Sequence, residues 1–222
     1  DISHCGYRLV LPRECIYYYN TGRVVQQEQH AALRDLLDGA FVEPGLWNKL
    51  YRRNLLDFVL QDGVIDTTIH NTEDLLMNYY LFRQAKQAVY EDVCPYHYIL
   101  HVESATTARL SEHKLKDPMR VIKILMRETA EELDLYMAVR KRYLGALIGS
   151  ATMDCRTQKE WVKAYRDACR KELRSQLPQI LKEKVSAKRK ILAFWAGVSP
   201  NMYGWVHRVY ARLKKLDKSL EL

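Results

Sequence analysis

From residue 26 onward, apolar side chains recur mainly at intervals of three and four, the spacing of one face of an α-helix. Residues 26–40 place Leu33, Leu36, Leu37 and Ala40 on one side, with Gly39 near the stop. Pro44 opens a second stretch carrying Leu46, Trp47, Leu50, Leu55, Phe58 and Val59, closed by Asp62-Gly63, so the two read as an antiparallel pair. Asn71-Thr72 offers a capping oxygen to a third helix, and Glu73 and Asp74 complement its dipole. The spacing of Leu75, Leu76, Tyr79, Phe82 and Val89 carries that helix to about residue 93, ahead of Pro95. Residues 96–115 read as helix in preference to strand. Asp117-Pro118 is a strong start, with aspartate as cap and proline where a missing donor costs nothing. The period set by Ile122, Leu125, Met126, Leu133, Tyr136, Met137, Leu144 and Leu147 then runs to Gly149. Thr157 and Glu160 form a capping box for the next helix. Pro178 divides it from one ending near Gly197, and Ser199-Pro200 opens a last one reaching about Leu216.

Residues 1–25 break this pattern. Two short extended runs, 7–11 and 15–19, flank Pro12, and Asn20-Thr21-Gly22 reads as a turn. The expectation is an all-α fold: an irregular multi-helix bundle with an extended, tyrosine-rich N-terminal arm laid over a surface. Its sections are the arm at 1–25, an acidic helical half at 26–117 and a basic helical half at 118–222, the two halves forming one continuous domain.

Composition narrows the class. The 222 residues are 48% hydrophobic and 28% charged, which excludes a disordered tail or a low-complexity linker. No apolar run approaches the roughly 20 residues that span a bilayer. Five cysteines, an odd number with no C-x-x-C pair, argue against a disulfide framework and for a reducing, intracellular compartment. The net charge of +8 is uneven: residues 1–117 hold 12 Lys and Arg against 16 Asp and Glu, residues 118–222 hold 23 against 11. A basic half attracts polyanions or the acidic face of another subunit. A pI near 9.2 and a first residue, Asp1, that is not Met lean the placement toward the mitochondrion.

Candidate chemistry lies in the basic half. Lys159, Lys163, Arg166, Arg170 and Arg174 follow one another at spacings of four, three, four and four, a single helical stripe able to track phosphates, while Trp161, Tyr165 and Leu173 lie opposite, ready for a core. Lys184 and Lys188 extend the charge, and in the last helix Tyr203, Tyr210, Arg208 and Arg212 interleave rings with cations. Such a set suits unpaired bases, anionic lipid headgroups or a protein interface, where Trp, Tyr and Arg are favoured anchors. Cys94, His97 and His101 are a weak metal candidate, with no fourth ligand at a familiar spacing. No phosphate-loop, dinucleotide-fold, H-E-x-x-H or G-x-S-x-G signature occurs, so neither catalysis nor a cofactor is expected. These readings favour a non-catalytic accessory subunit that scaffolds a large multi-protein assembly through its basic C-terminal helices. The alternative is an RNA-binding protein, ribosomal or nucleocapsid-like, using the same helices.

Overall fold

A computed structural model describes residues 1–199 and Tyr203, apart from Pro12, Tyr19, Ala40, 100–109 and 156–157. The fold is mixed α/β and not all-α. Strands β1 (Ile2–Val10), β2 (Cys15–Tyr17) and β3 (Val24–Glu28) lead into helix α1 (Gln29–Asp38). Then come β4 (Lys49–Tyr51), α2 (Arg53–Val59), α3 (Glu73–Gln84), β5 (Gln87–Ile99), α4 (Glu112–Glu128), α5 (Leu133–Thr152), α6 (Glu160–Lys182) and α7 (Ala187–Val198). Two compact units result, Asp1–Arg142 and Tyr143–Leu222.

In the first unit the five strands form one curled mixed sheet, open as a half-barrel. The residues expected as an arm supply its middle. β1 pairs in parallel with β5, from Ile2 opposite Ala88 to Val10 opposite Ile99, and β5 takes β3 antiparallel on its far side. The other edge of β1 is shared by two antiparallel partners, β4 beside Ile2, Ser3 and His4, and β2 beside Arg8, Leu9 and Val10.

The expected helix over 71–93 ends at Gln84 because the period changes there. Ala88, Tyr90, Asp92 and Cys94 are buried while Gln87, Glu91 and Val93 are exposed, an alternation of two. Partway along, β1 advances from Cys5 to Tyr7 while β5 advances from Glu91 to Tyr96. Gly6 accommodates this bulge: a Cβ there would stand 3.0 Å from the Val93 carbonyl oxygen and 3.1 Å from Cys94 Sγ. Helices α1 and α3 pack on the face carrying Ile2, His4, Ala88 and Tyr90, with the His4 ring edge-on to Phe82 at 5.8 Å.

Other boundaries also moved. α4 begins at a Ser111 cap, whose hydroxyl accepts from the Lys114 amide at 3.3 Å, and runs through Pro118. Asp117 is therefore not a cap; it is buried, accepting the His70 amide at 2.8 Å and facing His113 at 3.0 Å. The long helix expected from 118 to 149 is interrupted at 129–132, where Thr129 returns its hydroxyl to the Leu125 carbonyl at 2.8 Å. In the second unit Pro178 lies inside α6, and the break comes instead before Ser186, which caps α7. Thr157 and all of the last expected helix except Tyr203 lie outside the described residues.

Candidate functional site

The open face of the sheet is built by alternation. Ser3, Cys5 and Tyr7 point away from the core that Ile2, His4 and Gly6 enter. Past the bulge, Tyr96 and Tyr98 join them. Trp47 arrives from the loop before β4, with its ring centroid 4.9 Å from Tyr7, 4.5 Å from Tyr96 and 5.4 Å from Tyr98, and Tyr18 stacks on Tyr7 at 4.4 Å. Trp47 and Tyr96 line a hollow of about 360 Å³, and two more, of about 410 and 400 Å³, lie further along the sheet. The first two share Ser3 and Leu50 in their linings, and the last two share Val89. Leu50 and Val24 are 76% and 61% exposed, a heavy apolar display for a sheet face.

The Trp47 loop is pinned from inside. Lys49, opposite His4 in the β1–β4 register, turns into the core and donates to the Glu43 carbonyl at 2.6 Å, the Gly45 carbonyl at 2.7 Å and Asn48 Oδ1 at 2.7 Å. Burial lowers its pKa to about 8 against the opposing pull of Glu43 and Asp74. Asn48 Nδ2 donates to the Cys5 carbonyl and Asn78 Nδ2 to that of Pro44. The indole lies over Gly45, where a Cβ would stand 2.5 Å from Trp47 Nε1. These contacts hold the loop in place.

Chemically this face suits contact better than bond-making. Burial raises the Cys5 thiol's pKa, and its Sγ lies 3.6 Å from the Asn48 carbonyl oxygen, so it is not held as a thiolate. Burial, then the Glu43 charge, raises the Tyr7 hydroxyl's pKa, keeping it a proton donor. Arg8 belongs to the other face, reaching Tyr17 Oη at 3.2 Å and His97 Nδ1 at 3.3 Å.

In the second unit the stripe expected on α6 divides. Arg170 Nε donates to the Ala151 carbonyl at 2.7 Å, and Arg174 Nε donates to that of Gly197. Both guanidinium groups thereby bind carbonyls at helix C-termini, where the dipole favours a cation. Arg166 and Arg170 also lie 3.0 and 3.3 Å from Asp167, and Lys163 pairs with Glu160 at 2.6 Å. Lys159, Lys184 and Lys188 are exposed, and Tyr203 is partly buried. Arg208, Tyr210 and Arg212 lie outside the described residues, as does His101. Cys94 is buried with its thiol 3.6 Å from the Tyr18 carbonyl oxygen, and His97 is exposed beside Arg8. Among the described residues, no three His, Cys, Asp or Glu side chains are placed to hold a metal, and no helix is long and apolar enough to cross a membrane.

No protein-family model matches the chain, and neither a curated protein nor a solved structure is significantly similar to it. The aromatic face was missed from sequence because Trp47 was placed on a helix and Tyr96 and Tyr98 on a segment read as helical. The signal available was the alternation in Tyr96-His97-Tyr98.

Proposed function

We propose that this protein is a non-catalytic docking subunit of a multi-protein assembly, and that the open face of its half-barrel is the principal contact surface. The observation behind this reading is the fixed cluster of Trp47, Tyr7, Tyr96 and Tyr98 beside an open hollow that the exposed Leu50 also lines. Rigid aromatics add large contact area at small entropic cost, which is why they anchor protein interfaces. The charge of Glu43 acts on Tyr7 and Glu91 lines the hollow with Trp47 and Tyr96, while Lys49 of β4 is turned inward, so the cluster favours a neutral or basic protein surface over a polyanion.

The test replaces Leu50 with Glu and Tyr96 with Ser, both exposed, and compares what co-purifies from the native source. The expected result is loss of a defined set of subunits, with the far-ultraviolet spectrum unchanged. If the double variant retains the full set, or if RNA is what co-purifies, the docking reading fails.

A further inference from the structure

α6 and α7 run back along one another, as Lys190 Nζ donates to the Leu181 carbonyl at 2.7 Å and Arg174 binds that of Gly197 at the opposite end. The contact is made with the small side of α7. Ala193, Ala196 and Gly197 are buried, and a Cβ on Gly197 would stand 3.1 Å from Leu177 Cδ1. Among the large residues of α7, Ile191, Phe194 and Val198, at spacings of three and four, point the other way and are 51%, 39% and 51% exposed, while Leu192 and Trp195 are half-buried. Helices that only fill a core do the reverse. At the turn, Leu181 is exposed beside the exposed Lys182, Lys184 and Lys188. The second unit holds 17 Lys and Arg against seven Asp and Glu.

We propose that the α6–α7 hairpin docks on an anionic phospholipid bilayer, with Ile191, Phe194 and Val198 entering the headgroup boundary and the lysines of the turn meeting the anionic lipids. This surface belongs to the second unit and the aromatic face to the first, and the inference does not depend on that reading. Two features together select the occupant. A nucleic acid would use cations and rings but gives exposed Ile191 and Val198 nothing to bury against. A protein partner would use both only where its own surface set an apolar patch beside an acidic one. A bilayer with anionic headgroups uses both, since binding at an interface adds buried apolar area to electrostatic attraction.

The experiment is flotation of the full chain with vesicles of phosphatidylcholine, alone or mixed with phosphatidylserine. Wild type should float with the mixed vesicles and much less with the neutral ones, and added salt should weaken the association. Ile191→Glu and Phe194→Glu should each reduce binding about tenfold, the loss of one buried apolar side chain. Lys182→Gln with Lys184→Gln should reduce it about fivefold per charge. Ile191→Leu should bind as wild type does. Because all four positions are exposed, an unchanged far-ultraviolet spectrum is expected, and the lysine variant tests the proposal independently of the apolar ones. Equal binding to both vesicle types overturns the proposal, as does binding insensitive to the glutamates. So does a surface that instead captures a single-stranded RNA oligonucleotide, or one through which the protein self-associates in sedimentation without floating.

Discussion

At the scale of single residues, two buried polar groups set how the first unit responds to acid. Asp92 is fully buried and accepts from the amides of Asn20 and Thr21 at 3.1 Å each, from the Thr21 hydroxyl, and from Tyr90 Oη at 2.9 Å. Burial alone would raise its pKa, but these donors outweigh that and hold the carboxyl at about 2. It therefore favours the fold above the ordinary carboxylate range and loses that effect as the pH falls through about 2. His4 works in a higher window. Gln27 Nε2 donates to Asp35 Oδ2 at 2.6 Å, which leaves Gln27 Oε1 to accept from His4 Nε2 at 3.0 Å. The histidine proton thus sits on Nε2, and Nδ1 is a buried acceptor with no partner among the described residues. Burial lowers the His4 pKa to about 4. The unfolded chain takes up a proton near pH 6.5 and the folded one does not, so stability should be full above that value and should fall between 6.5 and 4, by about 3 kcal/mol. Urea titrations across this range should show the decline, and His4→Asn should flatten it; a decline unchanged in the variant would assign it elsewhere.

At the scale of elements, arginines finish helices. Arg142 donates to the carbonyls of Leu36, at 2.7 Å, and Leu37, at the end of α1, and Gly39 beside it adopts φ 67°. A Cβ on Gly39 would stand 2.5 Å from the guanidinium, so the glycine is required both by its conformation and by the arginine's approach. Arg142→Gln should cost about 2 kcal/mol and Gly39→Ala at least 1 kcal/mol. The two losses should not add, because the alanine already displaces the arginine; a double-mutant cycle in denaturant measures this, and simple additivity would contradict the coupling. The same device shows why the fold was only partly legible in the sequence. Arg170 and Arg174 repeat at helical spacing whether they face solvent or bind a neighbouring C-terminus, and spacing alone cannot separate the two. Helical segments within α1, α3, α4, α5, α6 and α7 were readable because their apolar period persists through burial. β5 was not, since its inward row includes the charged Asp92 and its outward row includes Val89 and Val93, which inverts the polarity that alternation is read from. β1 was read as an arm because no local signal reveals a parallel partner so far along the chain.

At the scale of the whole molecule, the position of β1 decides what a truncation would do. It contacts β2, β4 and β5, so deleting residues 1–10 should split the sheet and abolish cooperative unfolding of the first unit, while helical signal from the second persists. Circular dichroism with thermal melting would show it, and a deletion variant that melts like wild type would show that β1 is dispensable. Charge is divided on the same scale: residues 143–222 hold the excess of Lys and Arg, and residues 1–142 hold 18 against 20 Asp and Glu. The parallel pairing also imposes an order in time. Ile2 meets Ala88 only after 86 further positions have been made. At about 5–20 residues per second of synthesis, β1 leaves the ribosome roughly 4–17 s before the strand that completes it. During that interval Ile2, Tyr7, Leu9 and Val10 lack the β5 partner that covers this edge in the finished sheet. Slower synthesis lengthens that exposure, so the yield of soluble protein should depend on chaperone supply more than on the stability of the finished fold.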